Sequence, residues 1–182
     1  MNPRNDLLLL AGKILTVIMQ AAVGIGGITI AIVLPLFAFM RGDTLEGFSD
    51  GSGVSVADLP FAPTVALLAL LLLVLAGMFV FFGKLRAIIA TVGSGDPFAP
   101  DNAERLSVMA WLFLGVQGLL WPVSLCANIV AHAARDVEGF DLEVNGGDGI
   151  SLTGLLLVII LFILARVFRH GAAMREDLEG TV

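Results

Sequence analysis

The sequence predicts an all-α membrane protein with four transmembrane helices and with both termini in the cytoplasm. The composition is 58% hydrophobic and only 14% charged, with a mean hydropathy of +0.97, which is far from the balance of a water-soluble domain. Four long runs contain no charged side chain, and the lysines and arginines are divided unevenly among the segments that connect these runs.

The four uncharged runs contain 27, 25, 29 and 17 residues, at positions 14–40, 59–83, 106–134 and 149–165. A bilayer core of roughly 30 Å needs about 20 helical residues. Unbroken apolar runs exclude the alternating pattern of a barrel strand. We therefore predict one membrane domain, residues 1–182, with helical spans at 14–40, 61–83, 106–133 and 150–168.

The distribution of basic residues predicts the orientation of these spans. With a cytoplasmic N-terminus, eight of the ten lysines and arginines lie in inner segments, and only Arg41 and Arg135 lie in outer loops. Cytoplasmic segments of membrane proteins carry such an excess. The first run is too long for the apolar core of a signal peptide, so we expect a multi-pass protein of the bacterial cytoplasmic (inner) membrane.

The first helix carries small residues along one flank, among them Gly24, Gly27 and Ala31. Small residues at this spacing allow two helices to approach closely in lipid. The neighbour is either another span of the same chain or a second copy in a homodimer, and the sequence leaves both alternatives open.

The second helix is expected to continue beyond the membrane, because an apolar stripe from Leu85 to Val92 follows the boundary residue Lys84. Gly93 then offers a conformation that ends a helix. The segment 93–105 forms a cytoplasmic turn, and the third helix begins near Pro100. Asp101 lies in the first turn of that helix, where the positive helix end favours carboxylates.

The third helix carries a polar face. Its members recur every three or four residues, which places them on one side of the helix, and they are Gln117, Trp121, Ser124, Asn128, His132 and Arg135. Polar groups are costly in hydrocarbon, so this face is expected to point towards other helices or a hydrated crevice. Interhelical hydrogen bonding and a ligand or ion pathway both remain open.

The outer loops and the remaining motifs indicate no enzyme. Loop three, residues 135–149, alternates apolar and acidic residues before Asn-Gly, which predicts a small extracytoplasmic hairpin. Ser49 lies in a G-x-S-x-G pattern without the strand and helix that a nucleophile elbow requires. A calcium-loop pattern from Asp141 has Leu152 where a glutamate is needed. We predict no catalytic residue, no cofactor and no metal site.

Two cytoplasmic segments carry a family resemblance: the turn "GDPFAPDNAERL" and the ending "RHGAAMREDLEGTV". With the order of four spans, they resemble a family of small four-helix bacterial membrane proteins classed only as a domain of unknown function. The turn in that family is similar to G-x-P-F-S-x-E-N. Here Ala99 takes the serine position and Asp101 the glutamate position. The missing hydroxyl removes a helix cap, so the start of the third helix is expected to be less sharply fixed.

The resemblance implies a regulatory membrane protein, because members are often encoded beside an Xre/Cro-type helix-turn-helix regulator. It carries over no catalytic residue. The positions that match its motifs are Asp96, Pro97, Phe98, Asn102, Arg105 and Leu106 in the turn, and Gly171, Glu176, Asp177, Thr181 and Val182 in the tail. The tail, residues 171–182, faces the cytoplasm in the predicted topology. Phe98 either folds back on the inner helix ends, which we favour, or faces a partner. Asn102 and Arg105 likewise either hold the second and third helices together or contact a partner.

The leading hypothesis is a non-enzymatic regulatory or sensory protein that docks a helix-turn-helix partner. The turn and the tail would form its contact surface, and the chain would bind no nucleic acid directly. A small oligomeric transporter or channel along the face from Gln117 to His132 is one alternative. An immunity or envelope-stress protein is another.

Overall fold

A computed structural model describes residues 3–39, 59–135 and 151–179. These residues form four α-helices: α1, Pro3–Phe39; α2, Phe61–Gly93; α3, Pro100–Arg135; and α4, Leu152–Glu179. No strand occurs among them, and the predicted all-α class with four helices is confirmed. The hairpin predicted in loop three lies outside the described residues, as do the Ser49 motif and most of the calcium-loop pattern.

Each helix contains a stretch that is long and apolar enough to cross a membrane. These stretches are Leu9–Phe39, Phe61–Gly93, Pro100–Ala133 and Leu152–Asp177. Large apolar side chains are exposed on all four helices, with Ile28, Leu73, Trp121 and Ile163 each more than half exposed. Exposed apolar surface of this extent is suited to contact with lipid chains. The chain is therefore a multi-pass membrane protein.

The chain divides into two compact units. The first comprises residues 1–24, 76–116 and 152–182, and the second comprises residues 25–75 and 117–151. The first unit contains the turn between α2 and α3 together with all of α4. Most of the residues that carry the family resemblance therefore belong to this first unit.

The core of the first unit lies where α2, α3 and α4 meet. Its buried apolar residues are Ile88, Leu106, Met109, Ala110, Leu161 and Ala165. Phenylalanines 81, 113, 162 and 168 pack around this cluster. The rings of Phe81 and Phe113 lie 5.9 Å apart, so aromatic contacts extend the core from α2 to α3.

Glycines allow α1 to approach α2 closely in both units. In the first unit, a Cβ atom added at Gly24 would lie 3.2 Å from the ring of Phe79. In the second unit, a Cβ atom at Gly26 would lie 3.7 Å from Leu75. The small flank of α1 thus packs against another helix of the same chain. The homodimer stays a prediction.

Candidate functional site

The last turn of α2 closes with a Schellman motif. Gly95 has a φ of 87°, and its N–H donates to the carbonyl of Val92 over 3.1 Å. The N–H of Asp96 donates to the carbonyl of Thr91 over 3.0 Å. This pair of bonds defines the motif and needs a left-handed residue two positions after the last helical one. The helix-ending conformation is therefore at Gly95, and its assignment to Gly93 was wrong.

Asn102 fixes this turn to the start of α3. Its side chain is completely buried. The amide nitrogen donates to the hydroxyl of Thr91 over 2.8 Å and to the carbonyl of Pro97 over 3.0 Å. The amide oxygen accepts from Arg105 over 3.0 Å. One buried amide therefore links the end of α2, the turn and α3, and all of its polar atoms have partners.

Thr91, the partner of Asn102 at the end of α2, is a residue that the sequence did not predict to be important. Its hydroxyl lies 2.8 Å from the carbonyl of Ile88 and so has an acceptor within its own helix. A single threonine within the apolar stripe after Lys84 was the available signal, since a polar side chain on a buried helical stripe needs a partner. The sequence does not show which residue provides it.

Phe98 folds back from the turn onto α4. Its ring centroid lies 5.5 Å from that of Phe168. A Cβ atom added at Gly171 would lie only 2.6 Å from the Cδ1 atom of Phe98, so the ring occupies the space that a side chain would need there. Phe98 nevertheless remains 41% exposed. One side of the ring packs against α4, and the remainder is accessible to solvent or to a partner.

An ion pair makes a second connection between the turn and α4. The guanidinium of Arg175 donates to the carboxylate of Asp96. Both side chains are about half exposed, so water screens the pair and its contribution to stability is less than about 1 kcal/mol. Its main consequence is geometric, since it sets the turn beside the end of α4.

The turn and the end of α4 therefore form one surface, which we name the turn–tail surface. It comprises Asp96, Phe98, Asp101, Glu104, Gly171, Arg175, Glu176 and Asp177. The carboxylates of Asp101, Glu104 and Glu176 are exposed. Arg105 bonds to Asp101 over 3.1 Å and is mostly covered. The structure thus brings together the two segments that the sequence singled out.

The start of α3 lacks a side-chain cap. Pro100 is the first helical residue, which places Ala99 at the N-cap position. The carbonyl of Ala99 accepts the N–H of Asn102 over 2.9 Å. Serine at position 99 would add an oxygen that can accept from the backbone in the first turn.

We expect Ala99→Ser to raise the free energy of unfolding by about 1 kcal/mol, because it restores an N-cap acceptor. Denaturation by sodium dodecyl sulfate in mixed micelles, followed by circular dichroism, measures the change. Ala99→Val is the control, since valine adds bulk without an acceptor. Equal effects of serine and valine would contradict the capping explanation.

The polar face of α3 lies in the second unit, and its members have different environments. Gln117 is buried, and its side-chain oxygen accepts from the backbone N–H of Ser151 over 3.3 Å. Asn128 lies 3.5 Å from Ser124, whereas Trp121 and His132 are exposed. Trp121 is 61% exposed, so the members of this face do not all pack against other helices, and the hydrated crevice stays a prediction.

Trp121 differs from its neighbours for a physical reason. Its large apolar ring can lie against lipid, whereas the amide of Gln117 needs a hydrogen-bond partner. Helical spacing alone does not show which residue of the face contacts lipid and which one forms a hydrogen bond.

Among the described residues, no cluster of three or more histidines, cysteines or carboxylates is placed to hold a metal ion.

Comparison with known proteins identifies the family. Neither the curated proteins nor the solved structures contain a match to this chain. The family model described as "Protein of unknown function (DUF2975)" matches residues 50–182, a range that includes α2, α3, α4 and the whole turn–tail surface. The chain therefore belongs to this uncharacterised family.

Proposed function

We propose that this chain is a non-enzymatic regulatory protein of the bacterial inner membrane that docks a helix-turn-helix regulator on the turn–tail surface. The observation that carries this proposal is the joining of the turn to the end of α4 through Phe98 and Gly171. Two segments that are distant in sequence thereby present a single surface. The predicted topology places this surface in the cytoplasm, where a DNA-binding protein is found.

The charge of the surface favours a basic partner. Glu104 and Glu176 are exposed carboxylates. The basic residues Arg105 and Arg175 are paired with Asp101 and Asp96, respectively. DNA-binding proteins carry a basic face that contacts phosphates. An acidic surface complements such a face and would compete with DNA for it.

The exposed part of Phe98 supplies an apolar contact within this acidic surface. Buried aromatic side chains surrounded by polar residues often dominate the affinity of an interface. The ring is held against Phe168 before any partner arrives, so little side-chain entropy is lost on binding. This arrangement favours a protein partner over a small anion or a metal ion.

A photo-crosslinking amino acid at position 98 tests the proposal in intact membranes. We expect a crosslink to a helix-turn-helix protein, identified by mass spectrometry. The same label at Trp121, which is exposed in the other unit, serves as the control and should give no such product.

A second experiment repeats the crosslink at position 98 in two variants, one with Glu104 and Glu176 both changed to glutamine and one with both changed to lysine.

We expect the crosslink yield to fall with glutamine and to fall further, by about tenfold or more, with lysine, because each charge reversal at an interface costs about 1 kcal/mol or more. Equal yields for the wild type and the lysine variant would contradict charge-guided docking. Crosslinks to lipid alone at position 98 would contradict a cytoplasmic partner.

A further inference from the structure

An open groove of about 430 Å³ lies in the first unit and meets the turn–tail surface at Arg105, which lines the groove and bonds to Asp101. Residues of α1, α2 and α3 contribute to its lining, among them Gln20, Phe79, Val80, Gly83, Lys84 and Arg105. The four that belong to α2 share one helical face by their spacing. Arg105 is the one residue of this lining that also belongs to the family motif in the turn.

Two polar side chains in the groove lack partners within the described part of the chain. Among the described residues, the ammonium of Lys84 forms no ion pair, and the amide of Gln20 forms no hydrogen bond. The amide nitrogen of Gln20 faces α2, where a Cβ atom added at Gly83 would lie 3.2 Å from it. Both side chains are partly exposed, so their N–H groups are accessible to a ligand that accepts hydrogen bonds or carries negative charge.

Arg105 adds a second basic side chain to the groove, and it is already paired with the carboxylate of Asp101. Its guanidinium bonds to Asn102 and to Asp101 over 3.0 and 3.1 Å. A guanidinium carries five N–H donors, so donors remain after these two bonds. The bond to the buried Asn102 also holds the head group of Arg105 in one place, which prepares it for an anion.

The groove is apolar at its other end. Phe79 and Val80 lie about one helical turn before Lys84, and each side chain is 44% exposed. The groove therefore has a cationic end nearer the α2–α3 turn and an apolar end farther from that turn, towards the start of α2. A phospholipid has the same division, with an anionic phosphate at one end and acyl chains at the other.

We propose that this groove binds an anionic phospholipid of the surrounding leaflet. The phosphate lies between Lys84 and Arg105, the amide of Gln20 donates to a lipid oxygen, and an acyl chain lies along Phe79 and Val80. Basic pockets between membrane helices provide this kind of headgroup site. Gly83 leaves room for the amide of Gln20, because a Cβ atom at position 83 would lie only 3.2 Å from the amide nitrogen.

Native mass spectrometry of the full-length protein, released from detergent micelles with added phosphatidylglycerol, tests this site. Phosphatidylcholine is the zwitterionic comparison, and glycerol phosphate is the soluble headgroup without chains. We expect the wild type to retain phosphatidylglycerol preferentially. Lys84→Gln should weaken this retention about fivefold, since one basic residue near the bilayer surface contributes about that factor.

Lys13→Gln is the matched control, because Lys13 and Lys84 are the two lysines of the chain and Lys13 lies outside the groove. We expect Lys13→Gln to retain the lipid like the wild type. Equal losses from both variants would overturn the proposal, as would equal retention of the two lipids by the wild type. Glycerol phosphate that binds as well as the lipid would overturn the role of the acyl chain.

Gln20→Leu provides a second variant if Lys84→Gln does not fold. It removes the amide while keeping a side chain of similar size that is compatible with a membrane helix. We expect it to lower the preference for phosphatidylglycerol over phosphatidylcholine. An unchanged preference would contradict a headgroup contact at Gln20.

Discussion

Replacing Asn102 with leucine is expected to lower the free energy of unfolding by about 2–4 kcal/mol, because buried groups that lose their partners are costly. The amide is completely buried and bonds to Thr91, Pro97 and Arg105. Leucine has a similar size but cannot replace any of these bonds. Denaturation in mixed micelles measures the loss.

Two further variants distinguish the loss of the Asn102 hydrogen bonds from a non-specific loss of stability. Asp101→Ala removes an exposed neighbour and its pair with Arg105, and we expect a loss of less than about 1 kcal/mol. Thr91→Val removes the hydroxyl that accepts from Asn102. Because Thr91 and Asn102 share a bond, the double variant should lose less than the sum of the single variants. Additive losses, or a leucine variant as stable as Asp101→Ala, would contradict the account.

Gly171→Ala is expected to destabilise the protein by about 1–2 kcal/mol, since overpacking forces neighbouring atoms to move. The new methyl group would lie 2.6 Å from the ring of Phe98. Alanine is otherwise the better helix former by about 1 kcal/mol, so helix propensity alone predicts the opposite sign. The displaced ring should also lose its contact with Phe168.

A second background shows whether the ring of Phe98 causes the destabilisation by Gly171→Ala. In a Phe98→Ala background the clash is absent, and Gly171→Ala should then be neutral or stabilising. Gly93→Ala is the matched control, because nothing lies within 4 Å of a Cβ atom at that position. Destabilisation by Gly171→Ala that persists in the Phe98→Ala background would show that the ring is not the obstacle.

The fold was largely predictable from the sequence, because four uncharged runs fix the number of membrane helices and lipid permits no other structure for them. The extension of α2 to Gly93 followed from the apolar stripe after Lys84. The start of α3 at Pro100 followed from proline and the acidic residues behind it. These features depend on local sequence, and local sequence was sufficient.

The tertiary contacts were less predictable. Phe98 was expected to fold back on the inner helix ends, but nothing in the turn indicates that Gly171 leaves room for its ring. Asn102 was singled out as a position of the family motif, with a structural role and a partner contact both open, whereas its burial depends on contacts with Thr91 and Arg105. Such contacts depend on how the helices pack against one another, and helical periodicity does not predict that packing.

Cysteine crosslinking between positions 98 and 171 tests most directly whether the turn and α4 form one surface. A Cβ atom at position 171 would lie 3.5 Å from the Cγ atom of Phe98. The sulfur of a cysteine at position 98 takes the place of that Cγ atom, so the two thiols are expected to come within reach of each other. The experiment uses Phe98→Cys and Gly171→Cys in a background that carries Cys126→Ser, which removes the chain's only native thiol. Gly93→Cys with Gly171→Cys is the control pair.

In native membranes under mild oxidation, the account predicts an efficient intramolecular crosslink for the 98/171 pair and little for the 93/171 pair. Maleimide labelling of the reduced protein shows that the thiols are reactive in both. Reactive thiols that fail to crosslink at 98 and 171, or that crosslink equally in the control pair, would contradict the joined turn–tail surface.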